Sequence, residues 1–199
     1  MRNVRIPAML VLGIAVLWGM AGPTELVAEN DGDTKVALVD DCDPTDVAGW
    51  APVGCLQDKG DVTAAEFGMF LRSPLYDNDG NPLSTAGQFL VGHPSWRNVP
   101  SHAVIEEGNR LHIENEGGRP HTFTPVAQFG GGRVPPLLVG AQPAPECALA
   151  AGATDPYLVA PGARLKLQVT AEGIQRFQCC FHPWMRATVR VTADEDHEQ

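Results

Sequence analysis

The second half of the chain alternates between hydrophobic and polar residues, and this pattern predicts β-strands. The alternation has a period of two over 110–114, 164–169 and 187–191, as expected where successive side chains point to opposite faces of a sheet. Short strands of this kind, joined by glycine-containing turns such as 106–109 and 171–173, are typical of an antiparallel β-sandwich or barrel. The remaining strands of this half are predicted at 104–105, 122–124 and 174–179.

The region before residue 100 has a mixed pattern. Residues 35–39 predict a short strand, and residues 64–72 predict one short helix. Thr63 and Glu66 have the spacing of a capping box, in which the two side chains satisfy free N–H groups at the start of a helix. Residues 77–82 combine Asp, Asn, Gly and Pro and predict a turn.

A long connection rich in Gly, Pro and Ala runs from 125 to 156. Connections of this length inside a compact domain are usually functional or cover part of the fold. The chain ends in an acidic tail, residues 194–199, which is expected to fray.

The N-terminus has the layout of a secretory signal peptide. Arg2 and Arg5 precede a nearly apolar run over 6–20, and small residues typical of a signal-peptide cleavage site lie near its end. The run is shorter than the ~20 residues that span a bilayer, so no stable membrane insertion is expected and an uncleaved anchor is the weaker alternative. The sequence therefore predicts a signal peptide over 1–28 and a periplasmic or secreted protein.

The chain is strongly acidic, with a formal net charge of −10. Removal of residues 1–28 takes away two arginines and one glutamate, a net +1, and leaves a charge of −11. This charge argues against general nucleic-acid binding and favours cationic partners. The remaining length fits one domain with an elaboration, which we expect to be a monomer.

A group of possible metal ligands lies within seven residues near the C-terminus. Cys179, His182 and Met185 follow the spacing Cys-x2-His-x2-Met. A thiolate, an imidazole and a thioether together suit a copper ion that changes between Cu(I) and Cu(II), and His121 would supply the second imidazole of a His2Cys plane. In the alternative interpretation, His182 and Met185 are ordinary core residues and His121 is an exposed loop histidine.

The five cysteines are an odd number, so at least one of them is unpaired. An oxidising compartment favours disulfides. If Cys179 binds a metal, the other four can pair in three ways. Proximity in sequence favours Cys42–Cys55, and Cys147–Cys180 would then form the second bridge.

Residues 101–193 resemble a cupredoxin, the plastocyanin-like blue copper domain. The resemblance is carried by 107–115, by Pro120-His121 and by 177–186, and the short spacing of the final ligands is most similar to that of amicyanin. It implies a Greek-key β-sandwich with one type 1 copper. Carried over position by position, the copper ligands are His121, Cys179, His182 and Met185.

The chain departs from the family pattern at two positions. Thr122 stands where the family often has the asparagine that ties the two ligand loops together, and its hydroxyl could make one similar bond. Cys180 follows the proposed ligand directly. Because successive strand side chains point to opposite faces, Cys180 is expected to point away from the metal.

With this resemblance the chain divides into four parts. They are the signal peptide (1–28), an N-terminal extension with a short helix and a disulfide (29–100), the cupredoxin-like domain (101–193) and the acidic tail (194–199).

The resemblance implies an exported electron carrier with no catalytic residues of its own. His182 is the expected electron exit, and Trp184 beside it could form an apolar docking patch for redox partners. These partners would be cationic, such as a cytochrome c-like protein, a dehydrogenase or an oxidase.

A periplasmic copper chaperone or storage protein is the alternative. An enzyme is less favoured, because multicopper oxidases and copper nitrite reductases place histidines beside the ligand cysteine, where this chain has Gln178 and Cys180. A metal-free binding module is disfavoured because all four ligands are present.

Overall fold

The structure of the protein is a computed structural model that describes residues 32–76, 79, 82–84, 92–134, 137 and 142–193. The predicted signal peptide (1–28) and acidic tail (194–199) lie outside the described residues, as does most of the predicted turn at 77–82.

Two four-stranded sheets form the body of the described chain. The strands of the first sheet are β1 (Thr34–Val39), β4 (Arg97–Val99), β6 (Arg110–Asn115) and β10 (Arg164–Gln168). Those of the second are β5 (His102–Glu106), β8 (Thr124–Val126), β11 (Gly173–Gln178) and β12 (Arg186–Thr192). The strand order is β10-β6-β1-β4 in the first sheet and β5-β12-β11-β8 in the second.

The predicted fold class, an all-β sandwich with an N-terminal extension that contains a short helix, is confirmed. The strand pairing differs from the antiparallel expectation in each sheet. β1 pairs in parallel with β6, and β5 pairs in parallel with β12, so the sheets are mixed. Parallel neighbours are joined by a long crossover connection, and local alternation in a sequence does not reveal such pairings.

The core lies between the two sheets and follows the alternation seen in the sequence. Leu111 and Ile113 of β6 are buried, and they face Val189 and Val191 of β12 in one continuous cluster. Phe123 and Phe177 stack within it, with ring centroids 4.5 Å apart.

The extension contributes two strands to the first sheet. Val36 and Leu38 of β1 are fully buried in the common core, and β4 pairs along the other side of β1. The sandwich therefore takes strands from both sides of residue 100.

The helix α1 (Ala64–Arg72) has the bounds that its sequence predicts. Thr63 accepts a hydrogen bond from the Glu66 amide, and the Glu66 carboxylate accepts from the Thr63 amide, so the predicted capping box is present. The smaller elements are β2 (Leu75–Tyr76) paired with β3 (Pro82–Ser84), β7 (His121–Thr122) paired with β9 (Leu158–Val159), and a 3-10 helix (Pro145–Cys147).

Both predicted disulfides are confirmed, as Cys42–Cys55 and Cys147–Cys180. The second bridge ties the 125–156 connection to the end of β11, and Val126, Ala144 and Phe129 pack around it in a small separate cluster. Among the described ranges, no helix has the length and apolar character needed to cross a membrane.

Candidate metal centre

His121 lies at the start of β7, at one end of the sandwich. The short pairing of β7 with β9 fixes its backbone, with His121 opposite Val159. Its side chain is 0% exposed. This burial excludes the alternative in which His121 is an exposed loop histidine.

The other three predicted ligands lie on the loop 179–185, which joins β11 to β12. The Cys179 amide donates to the Met185 carbonyl at 2.9 Å, and the Met185 amide donates to the His182 carbonyl at 2.9 Å. These bonds close the loop across its base. The adjacent strands β11 and β12 therefore hold the loop at both ends.

The structure brings three of the predicted ligands into mutual contact. Cys179 Sγ lies 3.8 Å from His121 Nδ1 and 3.7 Å from His182 Nδ1, and the two Nδ1 atoms are 3.3 Å apart. All three donor atoms lie within 4.8 Å of one another and could hold one metal ion.

Met185 ends the same loop and is buried. It belongs to the same core cluster as Cys179. The structure thus places the thioether residue at the same end of the sandwich as the other three side chains.

Thr122 connects the two ligand segments. Its hydroxyl accepts a hydrogen bond from the Cys180 amide at 2.8 Å, and its own amide donates to Cys179 Sγ at 3.4 Å. Thr124 donates to the same hydroxyl oxygen at 3.0 Å. The bond that the sequence predicts for Thr122 in place of asparagine is therefore present.

Asp40 is a buried neighbour of the site that sequence reasoning missed. Its Oδ2 lies 2.8 Å from His121 Nε2, on the side of the imidazole that faces away from Cys179. The chain contains an acidic segment at 40–43 directly after β1, but its sequence alone gives no link to His121, 81 residues later.

The charges in this cluster depend on one another. Burial alone would raise the pKa of Cys179, but hydrogen bonds with His121 and His182 outweigh it and hold that pKa well below its ordinary value. Burial also opposes protonation of His121, yet its bonds to Asp40 and Cys179 raise its pKa to about 9. For His182 burial prevails and lowers the pKa. Burial likewise opposes ionisation of Asp40, but the bond with His121 keeps its pKa below the ordinary value.

An aromatic cluster packs beside His182. The rings of Trp184, Phe67 and Trp96 lie 5.6, 6.3 and 6.4 Å from the imidazole. The full cluster consists of Trp50, Phe67, Phe70, His93, Trp96 and Trp184.

All members of this cluster except Trp184 belong to the N-terminal extension, which is therefore packed against the loop 179–185 (the ligand loop). Gly92 approaches the Trp184 ring closely, because a Cβ at this position would lie 1.8 Å from it. His182 itself stays partly exposed. The extension thus surrounds the imidazole without sealing it off from solvent.

The donor set suits copper. One thiolate and two imidazoles that converge through Nδ1, with a buried thioether on the same loop, form the combination that copper electron-transfer sites use. Hard cations such as Mg²⁺ and Ca²⁺ prefer oxygen ligands, and the converging atoms here are nitrogen and sulfur. The residues therefore fit the group that the sequence resemblance implies.

The solved structures that match part of the chain include several cupredoxins, the family that the sequence resembles. A purple cupredoxin from Nitrosopumilus maritimus is 19% identical over 53% of this chain and 92% of that chain, with a TM-score of 0.34. A reduced amicyanin variant is 22% identical over 46% of this chain and 70% of its own, with a TM-score of 0.31. A mutant fern plastocyanin is 21% identical over 51% of this chain and 92% of that chain, with a TM-score of 0.34. No family model and no curated protein matches the chain.

Proposed function

We propose that the protein is an exported mononuclear type 1 copper protein that transfers single electrons between redox partner proteins. The observation that carries this proposal is the buried convergence of Cys179 Sγ with the Nδ1 atoms of His121 and His182. A copper ion bound there would change between Cu(I) and Cu(II) and so supply one-electron chemistry. His121, Cys179 and His182 would hold it, with Met185 as the weak fourth ligand.

The protein frame would keep these side chains in place during electron transfer. His121 is fixed by Asp40 on one side and by the β7–β9 pairing on the other. The loop 179–185 is closed at its base, and Thr122 connects it to the His121 segment. Ligands that do not need to move keep the reorganisation energy small.

Burial of the site serves the same purpose. Cys179 and His121 are fully buried, and Met185 is nearly so. Water is therefore excluded from most of the donor set. His182 is the partly exposed member, and its edge is the proposed point of electron entry and exit, with Trp184 beside it.

The proposed partners are cationic redox proteins, either cytochrome c-like or a dehydrogenase or oxidase. The net charge of −10 supports this choice, since complementary charge speeds the encounter of two proteins. We further propose that the protein acts in the periplasm or outside the cell as a monomer, as its N-terminal sequence and length suggest.

The decisive experiment is Cu(II) loading of the purified mature protein, followed by visible and EPR spectroscopy. A type 1 centre gives an intense thiolate-to-copper absorption band and narrow copper hyperfine splitting. Both should disappear in Cys179→Ser. Cys180→Ser is the matched control, because Cys180 is the adjacent cysteine and is bound to Cys147.

Three results would contradict the proposal. A wild-type protein that stays colourless with Cu(II) and binds only Cu(I) would favour the chaperone or storage alternative. Loss of the band in Cys180→Ser, together with its survival in Cys179→Ser, would refute the ligand assignment. A protein that binds neither ion would refute the copper function as a whole.

A further inference from the structure

The carboxylate of Asp40 accepts hydrogen bonds from three backbone amides and lies beside a ring nitrogen of His121. Oδ1 accepts from the amides of Cys42 at 3.3 Å and Gly118 at 3.1 Å. Oδ2 accepts from the amide of Arg119 at 2.9 Å and lies 2.8 Å from His121 Nε2. The Asp40 side chain is 0% exposed. The fold thus provides hydrogen-bond partners for both oxygens of this buried side chain, as buried polar groups require.

These contacts determine the form of both side chains. Three backbone amides that donate to the two oxygens stabilise the ionised form of the carboxyl group, which accepts hydrogen bonds and donates none. The proton between Asp40 and His121 therefore sits on Nε2. Nδ1 is then the ring nitrogen that faces Cys179 and His182 and can bind a metal once its own proton has left, because the partner of one ring nitrogen decides the role of the other.

The surrounding backbone is shaped to the carboxylate. A Cβ at Gly117 would lie 2.3 Å from Asp40 Oδ2, so only glycine allows the loop to approach this closely. The guanidinium of Arg119 is directed elsewhere, and donates to the carbonyl oxygens of Trp50 and Gly54. The hydrogen-bonded counterpart of the Asp40 charge is thus the imidazole of His121.

We propose that Asp40 is a positioning and tuning residue of the copper site: it fixes the orientation and tautomer of His121, and its buried negative charge lowers the reduction potential of the metal. This inference rests on the proposed function. A carboxylate that accepts from a ligand imidazole makes that ligand a better donor. A buried negative charge also favours the more highly charged ion, Cu(II), and interacts strongly because the surroundings are of low dielectric constant.

The test uses Asp40→Asn in the full mature protein. Asparagine has the same shape and keeps one oxygen for the amides of Cys42 and Gly118, but the NH2 group that replaces Oδ2 cannot accept from His121 or from the Arg119 amide. We expect the ratio of Cu(II) to Cu(I) binding to fall about tenfold or more, a rise in reduction potential of about 59 mV for a one-electron couple. The affinity for Cu(II) should fall by about 10- to 100-fold.

Asp33→Asn is the matched control. Asp33 Oδ2 lies 2.7 Å from His112 Nε2, so this variant breaks a carboxylate–imidazole pair of the same kind on the protein surface. Its reduction potential should equal that of the wild type. A potential in Asp40→Asn that also equals the wild-type value, in a protein that still forms the type 1 centre, would overturn the proposal.

A second measurement needs no variant and so does not depend on the folding of Asp40→Asn. NMR of the metal-free wild-type protein with 15N-labelled histidine should show a His121 Nε2–H signal that is shifted downfield and protected from solvent exchange. A His121 ring that is protonated only at Nδ1 would overturn the proposal. A wild-type protein that forms no type 1 centre would refute the proposed function. A wild-type protein that is blue, together with an unchanged reduction potential in Asp40→Asn, would refute only the role of Asp40.

Discussion

At the scale of single residues, the site is a group of buried ionisable side chains whose pKa values depend on one another. His121 lies between two acidic partners, the carboxylate of Asp40 and the thiol of Cys179. In the absence of metal, these neighbours stabilise a second proton on the imidazole, which raises the pKa of His121 to about 9. Hydrogen bonds with His121 and His182 lower the pKa of Cys179. A metal ion that binds to His121 Nδ1 must therefore displace a proton, whereas Cys179 is already a thiolate.

This proton predicts a pH dependence of copper binding. Below pH of about 9 the folded, metal-free protein carries the proton on His121, so protons compete with the metal. The apparent affinity for Cu(II) should rise about tenfold per pH unit between pH 7 and about 9 and level off above it. Competition with a chelator of known proton affinity measures this slope. An apparent affinity that does not change between pH 7 and 9 would show that His121 is not protonated in the metal-free site.

At the scale of elements, the loop 179–185 is fastened to β7 and to the 125–156 connection. Thr122 in β7 accepts from the Cys180 amide, and the Cys147–Cys180 disulfide joins the same residue to the 125–156 connection. Two different kinds of bond therefore hold the residue next to Cys179. These bonds keep the Cys179 thiolate directed towards His121.

Removal of the hydroxyl of Thr122 tests this fastening. In Thr122→Val the amide of Cys180 and the hydroxyl of Thr124 lose their partner in a buried site, which should lower the free energy of unfolding by about 1–3 kcal/mol. Urea denaturation of the metal-free protein measures the change. Thr188→Val, at a partly buried position in β12, is the control and should cost less. Equal losses in both variants would argue against a special role for Thr122.

At the scale of the whole molecule, the extension and the sandwich form a single body around the site. β1 and β4 complete the first sheet, while α1 and the segment after Gly92 supply most of the aromatic cluster. Asp40 follows β1 directly. The extension therefore contributes both to the buried side of the site, behind His121, and to the partly exposed side, around His182.

The aromatic cluster should control access to His182. Phe67 lies near its centre and contacts Trp50, Trp96 and Trp184. Phe67→Ala should lower the free energy of unfolding by up to about 3 kcal/mol, since the residue is only partly buried, and should speed electron exchange with small soluble reagents. Denaturation and stopped-flow kinetics measure the two effects. Met69→Ala, on the same helix but 58% exposed, is the control. Unchanged exchange kinetics in Phe67→Ala would show that the cluster does not limit access.

Much of this arrangement could be predicted from the sequence because it depends on local patterns. The alternation of β6, β10 and β12, the capping box of α1 and the spacing of the ligand loop are each set within a few residues. Both disulfides were predicted from the cysteine count, the choice of Cys179 as the unpaired thiol and the closeness of Cys42 and Cys55 in the sequence.

Asp40 could not be predicted, because its position depends on pairing between distant segments. The parallel register of β1 and β6 places Leu38 opposite Asn115, and this brings the end of β1 beside the loop at 117–119. No periodicity or spacing in the sequence encodes that register. The placement of the aromatic cluster over His182 depends in the same way on how the extension folds back onto the sandwich.

The close approach of Gly92 to Trp184 has a consequence for how related sequences can vary. Gly92 has φ of +75°, and a side chain there would overlap the indole ring. The two positions should therefore covary: in homologues where residue 92 is not glycine, residue 184 should be smaller than tryptophan. An alignment deep enough to compare both columns would reveal this covariation. For the same reason, the loop 179–185 should lose part of its packing if it is transplanted into another sandwich without the segment around Gly92.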